Sequence, residues 1–480
     1  MVKRRTYLLA SGTLLAGLAI VAALSRGRFV GDIPAGTGYT ALDLCSRTMV
    51  TGEPLEQVRT RYIEPMVQPL PLLWRLAIEP RESVTVRTWL PFFAAPRTAI
   101  YREGLGCTVT QGDTGPALRT QAFRPAPPLP ADARPWPLGE GAPESDLLAA
   151  SARAVIERDA APLFSDATDH GEQPRNATAL LVTREGHLVY ERYAEGHARD
   201  QPQLGWSMTK TLTAIIAGML ARDGQIAIDG AVGLARWKGT PKEAITWRAL
   251  LNMAPGLAWF EGYKGASDAT EMLFSQPDEG AWAADRPLTS KPGAVFTYLT
   301  GFTNVAMLRL REVLGGTHQA LYDYYEGQLF APLGVRGGVI EPDASGTPVG
   351  GARGMLRPVD WLRLGQLLAN GGQWNGATLL PAEWVAFMMA ASPADPQYGG
   401  SIWRRPSPMI DPALRARLPD DLVFFAGHLS QFNVVVPSRK LVVLRMGVDL
   451  GGDDSDRDLN EVLGLVADLL GSLSPVVVSH

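Results

Sequence analysis

The feature that most constrains the fold is that strand-like segments stand at both ends of one long region while its middle reads as helix. Residues 177–183 and 187–193 are rich in β-branched, aliphatic and aromatic side chains, and Arg184-Glu185-Gly186 joins them, as in a short hairpin. Three more such runs, 422–426, 432–436 and 441–448, follow far downstream, with Pro437-Ser438-Arg439-Lys440 as a turn between the last two. A lone hairpin is marginal in water, so strands from the two ends must meet in one sheet. The expectation is an α/β (α+β) architecture: an antiparallel sheet flanked by helices, with a large, mostly helical insertion over about 208–390. Flanking helices are expected at 144–156, with Leu147, Leu148, Ala152 and Val155 on one face, and at 456–473.

The front of the chain is different. Lys3, Arg4 and Arg5 precede an uncharged apolar run from Thr6 to Ser25, a positive region followed by about 20 residues, enough to cross a bilayer. Residues 1–26 are therefore expected to be a membrane anchor or, since Ala22 and Ala23 leave cleavage open, a signal segment. The flanking positive charge sends the rest outward. The expected location is the cell envelope: anchored in the inner membrane and facing the periplasm, or released into the periplasm if cleaved. In that oxidising compartment Cys45 and Cys107, the two cysteines of the chain, are expected to pair, the alternative being two buried thiols. The bond would close a loop of about 63 residues, worth about 4 kcal/mol in the chain-entropy account.

Residues 27–139 read as an N-terminal extension ending in a linker, because Pro125, Pro127, Pro128, Pro130, Pro135 and Pro137 crowd together and favour extended backbone. The remaining unit is 140–480. The chain is 46% apolar and 20% charged, ordinary for a folded protein. A net charge of −4 carries no nucleic-acid footprint.

Chemistry concentrates at Gly205-Trp206-Ser207-Met208-Thr209-Lys210. From Ser207 onward, apolar residues fall at 208, 212, 215, 216, 219 and 220, and the run stops at Asp223-Gly224, so Ser207 opens a helix. Residues three apart share a helix face, which brings the Lys210 amine to the Ser207 hydroxyl. A serine needs such a base to become nucleophilic. The helix N-terminus and burial both disfavour an ammonium, and the first N–H groups of the helix suit a developing oxyanion. The spacing alone is weak, since a capping serine beside a surface lysine would look the same. Yet it is the one Ser-x-x-Lys in the sequence and uses one of only seven lysines.

Other segments strengthen it. Ile245-Thr246-Trp247-Arg248-Ala249-Leu250-Leu251-Asn252-Met253-Ala254-Pro255-Gly256-Leu257, Pro292-Gly293-Ala294-Val295-Phe296-Thr297-Tyr298, Gly351-Ala352-Arg353-Gly354-Met355, Asn370-Gly371-Gly372-Gln373-Trp374-Asn375-Gly376 and Ala426-Gly427-His428-Leu429-Ser430-Gln431-Phe432 follow in order. Together with Ser-x-x-Lys, the stretch 177–473 resembles the serine β-lactamase and penicillin-binding-protein family, in its class C, carboxylesterase and 6-aminohexanoate-dimer hydrolase branch. The segment with Cys45, Tyr101 and Gly104-Leu105-Gly106-Cys107 resembles an N-terminal extension carried by some exported members.

The resemblance implies a serine hydrolase with Ser207 as nucleophile, Lys210 as its base and Tyr298 as a second base, whose anion a nearby Lys210 ammonium would favour. It implies that His428 lies on a strand lining the cleft, that the N–H near Gln431 completes the oxyanion hole, and that Thr300 takes the place of a substrate-holding asparagine. Tyr298-Leu299-Thr300 departs from the family's Tyr-x-Asn triplet, and Leu429-Ser430 is bulkier than the usual small pair and is expected to narrow the cleft. Both departures suit an ester or amide substrate better than a β-lactam. No cofactor is expected, and His170, His187, His197, His318 and His480 show no metal-ligand spacing. The expected partners are a small-molecule ester or amide and, at the N-terminus, a membrane. Two alternatives remain: a non-catalytic envelope protein that binds ligands on the same fold, and a D-amino-acid-specific peptidase acting on peptidoglycan.

Overall fold

A computed structural model describes residues 32–68, 70–72, 74–89, 96–110, 114–165, 175–263, 265–448 and 455–473. The expected anchor or signal segment, 1–26, lies outside the described residues. No helix among the described residues is long and apolar enough to cross a membrane.

The extension begins with helix α1 over 32–45, which runs into a wider turn at Ser46–Val50. An antiparallel meander follows: β1 (Trp74–Glu79), β2 (Ser83–Thr88), β3 (Arg97–Arg102) and β4 (Gly106–Val109). Cys45 and Cys107 form the expected disulfide, with Cα atoms 6.1 Å apart, and both are fully buried.

The proline-rich stretch has no regular helix or strand over 121–144, but it does not hang free. Its carbonyls accept from buried or half-buried arginines: Arg336 Nε donates to Leu129 O (3.1 Å), and Arg363 donates to Pro137 O (3.1 Å) and Gly139 O (2.7 Å). Prolines have no N–H to pair, which leaves the carbonyl side of this backbone to do the docking. Trp136 is anchored at 2% exposure.

Helix α2 (Ala150–Leu163) starts later than expected. Residues 144–148 are held on the sheet edge instead, where the Glu144 N–H donates to Leu188 O (2.7 Å) and Ser145–Leu147 make a single 3-10 turn. Leu147, expected on the buried face, is therefore exposed.

Among the described residues the central sheet has six antiparallel strands. In spatial order they are β7 (Trp403–Arg404), β8 (Val423–Gly427), β9 (Gln431–Val436), β10 (Leu441–Gly447), β5 (Ala177–Arg184) and β6 (His187–Tyr193). The two ends of the region meet where β10 pairs with β5, Val443 opposite Val182. One face is covered by α2 and the C-terminal helix (Ser455–Ser472), whose Leu459, Val462, Leu463 and Val466 join Leu180, Val182 and Val434 in one cluster.

Across the other face lies the helix Pro358–Ala369. It crosses so closely at Gly365 that a Cβ there would meet Val442 Cγ1 and Asn433 Oδ1 at 2.7 Å. Asn433 Nδ2 donates to Trp361 O (2.6 Å) and Thr183 Oγ1 to Gln366 Oε1 (2.9 Å), which ties this helix to the sheet.

The insertion is mostly helical, as expected, but it also holds a small sheet of Gln203–Leu204, Gly354–Leu356 and Val339–Ile340. At its centre is the helix Met208–Arg222. Every residue from Met208 to Leu220 is buried, so its polar members need partners inside the protein. Its threonines are satisfied locally or by neighbours: Thr211 Oγ1 donates to Ser401 O (2.7 Å) and Thr213 Oγ1 to Gly350 O (2.9 Å).

Candidate active site

Ser207 owes its position to a sharp turn between Gln203–Leu204 and the helix Met208–Arg222. The chain enters hydrogen-bonded to the small sheet, Gly205 N–H to Gly354 O (2.9 Å). It passes Gly205, where a Cβ would lie 2.1 Å from the Trp361 ring, so only glycine fits. It then turns through Trp206 at φ +47°, a left-handed conformation of order 1–3 kcal/mol above the ordinary wells for a bulky residue.

Contacts on several sides hold Trp206 there. Tyr39 of α1 stacks on it (6.5 Å between centroids), His428 meets it edge-on (5.3 Å), and the Arg353 guanidinium lies 5.8 Å from its ring. Its carbonyl accepts from Thr209 N (2.9 Å) and Thr209 Oγ1 (2.6 Å). Ser207 then caps the helix, half-buried, with its hydroxyl one turn from Lys210.

Lys210 is 1% exposed. Its Nζ is 2.7 Å from Ser207 Oγ, 3.1 Å from Thr300 Oγ1 and 2.9 Å from Gly351 O. No carboxylate is among these three partners. Burial therefore pulls its pKa down to about 8, against the opposing pull of Glu261.

Tyr298 completes the cluster. Its hydroxyl lies beside the Ser207 side chain, and its ring lies 4.9 Å from Lys210 Nζ and 5.1 Å from the Trp403 ring. The expectation that Lys210 would favour the Tyr298 anion is corrected. Burial raises this phenol well above its usual range, the neighbouring Ser207 side chain only partly offsets the rise, and Glu261 adds to it. The amine faces the ring, not the oxygen, and is itself readily neutral, so Tyr298 is a protonated phenol near neutral pH.

The structure brings Ser207, Lys210 and Thr300 together within hydrogen-bond reach and sets the Tyr298 ring against the Lys210 amine. His428 stands close by, but in the turn after β8 rather than on the strand. Tyr263 stacks on it (5.4 Å) opposite Trp206, and burial lowers its pKa to about 4, so its imidazole is neutral.

Gln431 is committed to structure. Its Nε2 donates to Leu429 O (2.8 Å) and Gly447 O (2.6 Å), and its Oε1 accepts from Gly447 N (3.0 Å). It clamps the turn in which Leu429 and Ser430 adopt φ of +61° and +66°. Those two residues do not narrow the cleft as expected: Leu429 packs into the core at 4% exposure and Ser430 is fully buried. No group of His, Cys, Asp and Glu among the described residues forms a metal site.

Glu261 and Tyr263 escaped sequence reading. Glu261 Oε2 accepts from Thr300 N (3.0 Å) and Trp259 Nε1 (3.0 Å), and its Oε1 accepts from Thr300 Oγ1 (2.5 Å) and the Tyr263 hydroxyl. The carboxylate thus sits at the start of the helix Thr300–Val313, where anions are favoured. Only the short aromatic run Trp259-Phe260-Glu261-Gly262-Tyr263 marked it in the sequence, and such a run has no period to read.

Comparison with known proteins adds the family. The family model described as Beta-lactamase matches residues 153–468. Among solved structures, the chain is similar to a Bacillus anthracis protein provisionally named a 6-aminohexanoate-dimer hydrolase, with 20% identity over 62% of this chain and 81% of that one and a TM-score of 0.53. It is also similar to EstCE1, described as a hydrolase with promiscuous acyltransferase activity, with 17% identity over 66% of this chain and all of that one and a TM-score of 0.51. At these identities the likeness is one of fold. No curated protein matches the sequence. With the family model spanning well over half its length, the chain belongs to the β-lactamase family of serine hydrolases.

Proposed function

We propose that this chain is an exported serine hydrolase that cleaves an ester or amide through an acyl-enzyme on Ser207. The observation that carries the reading is the 2.7 Å contact between Ser207 Oγ and a Lys210 amine that has no carboxylate in direct contact. In the acylation step the Ser207 hydroxyl proton passes to neutral Lys210. The Oγ electron pair bonds to the substrate carbonyl carbon, and the carbonyl π pair moves onto its oxygen. The Ser207 N–H at the head of the helix, with the N–H near Gln431, would hold that oxyanion. When the intermediate collapses, the leaving group departs with the proton that Lys210 took from Ser207, and the protonated Tyr298 hydroxyl beside it donates a hydrogen bond to it. Water then repeats the sequence on the acyl-enzyme, releasing the acid and restoring Ser207.

The neutral imidazole of His428, between Tyr263 and Trp206, supports a neutral ester or amide over a substrate that must present a carboxylate. Export is supported by Lys3, Arg4 and Arg5 ahead of the apolar run 6–25 and by the Cys45–Cys107 disulfide. The decisive experiment is intact-mass analysis after brief exposure to p-nitrophenyl butyrate. The wild type should gain one butyryl group on Ser207 with a burst of nitrophenolate, and Ser207→Ala should gain none. Equal hydrolysis by both proteins would overturn the reading.

A further inference from the structure

We infer that Glu261, acting through the Thr300 hydroxyl, is the positioning residue that turns the Lys210 lone pair toward Ser207. The inference rests on the reading of Ser207 and Lys210 given above.

A count of hydrogens leads to it. A neutral amine has two N–H bonds and one lone pair, and Lys210 Nζ has three oxygens around it. Gly351 O can only accept, so it takes one N–H. Thr300 Oγ1 could in principle either donate or accept, since a hydroxyl does both. Here its single hydrogen is held by Glu261 Oε1 at 2.5 Å. Thr300 Oγ1 is left as an acceptor, and it takes the second N–H of Lys210. The lone pair then has one direction left, toward Ser207 Oγ, where it can receive the hydroxyl proton.

The carboxylate is itself fixed. The Thr300 N–H, the Trp259 indole and the Tyr263 hydroxyl all point at it, so it cannot swing away from Thr300. Without Glu261, the Thr300 hydroxyl would be free to rotate and donate its hydrogen to the Lys210 lone pair, competing with Ser207 for the site that must accept the proton. Glu261 touches neither Ser207 nor the reacting carbonyl. It acts only through Thr300, and its negative charge also favours the ammonium that Lys210 becomes once the serine proton has moved.

The test is the pH dependence of Ser207 acylation in Glu261→Gln, Thr300→Val and Thr300→Ser, read as the burst rate with p-nitrophenyl butyrate and as the labelling rate with a fluorophosphonate. In parallel, the Lys210 titration is followed by NMR of protein labelled at its seven lysines. In Glu261→Gln the plateau rate should fall at least 10-fold, because the lone pair is no longer directed. The acidic limb should move to lower pH, because the charge that held the Lys210 proton is gone. Thr300→Val should lose a similar plateau rate, and Thr300→Ser, which keeps the hydroxyl, should restore it.

A fall in rate with an unmoved acidic limb and an unmoved Lys210 titration would overturn the inference and make Glu261 merely a loop anchor. So would full acylation by Thr300→Val. If the wild type itself forms no adduct on Ser207, the functional reading fails. The NMR titration then still decides whether Glu261 governs Lys210, since it needs no turnover.

Discussion

Two buried basic side chains, Arg353 against the Trp206 indole and Lys210 against the Tyr298 ring, are treated in opposite ways. Arg353, 1% exposed, is boxed in by charge. It donates to Glu341 Oε2 (2.6 and 2.9 Å), to Asp43 Oδ1 (2.9 Å) and to Ser46 Oγ (2.6 Å). Burial alone would lower its pKa, but Glu341 and Asp43 outweigh burial and the net shift is upward. Lys210, equally buried, meets among the described residues only the neutral oxygens of Ser207, Thr300 and Gly351, and its pKa falls. The first arrangement ties α1 and the β4 strand, through the Cys107 N–H on Glu341 Oε1 (2.8 Å), to the hydrolase core. The second leaves an amine able to release and take a proton at ordinary pH. Adjacent carboxylates make a buried cation structural, and leaving them out makes it reactive.

The comparison can be broken at several points. Ser207→Ala should reduce ester turnover by on the order of 10³-fold or more, the scale of losing a nucleophile, with little change in melting temperature. Lys210→Met should reduce acylation by about 10²–10⁴-fold yet unfold no earlier than the wild type by calorimetry, because it removes a buried cation that has no carboxylate in contact. Arg353→Met should do the reverse, costing about 3–5 kcal/mol by stranding Asp43 and Glu341, as read by urea unfolding. If both variants destabilised equally, the contrast would be false.

Next in size, Cys45→Ser with Cys107→Ser should cost about 2–4 kcal/mol while the pH profile stays in place. Finally, the wild-type burst rate should rise with pH through a midpoint near 8 as Lys210 loses its proton. A profile flat from pH 6 to 10 would remove Lys210 as the base.

The parts of this structure legible in the sequence are those with a short period or a local covalent logic. Runs rich in β-branched, aliphatic and aromatic residues marked β5, β6, β9 and β10 to within a residue or two, and the 3.6-residue period marked the helix after Ser207. The i, i+3 spacing of Ser207 and Lys210 was readable because a helix guarantees that contact. Tyr298 was legible only through resemblance. Its protonation state was not, because burial is set by Trp403 and Tyr398, a hundred or more residues away. Glu261 was invisible for the same reason: its role depends on a loop folding back onto the start of another helix. The 144–156 helix was misplaced because a long-range bond from Glu144 to Leu188 overrides local propensity.

The contact between Tyr39 and Trp206 has a practical corollary for anyone hoping to trim this enzyme. A fragment starting at residue 140 would keep the whole stretch that the family model recognises. It would nonetheless bare one face of the indole that sets the nucleophile's turn and deprive Arg353 of Asp43. The smallest unit expected to work is therefore longer than the family's own footprint, and its extra portion is upstream.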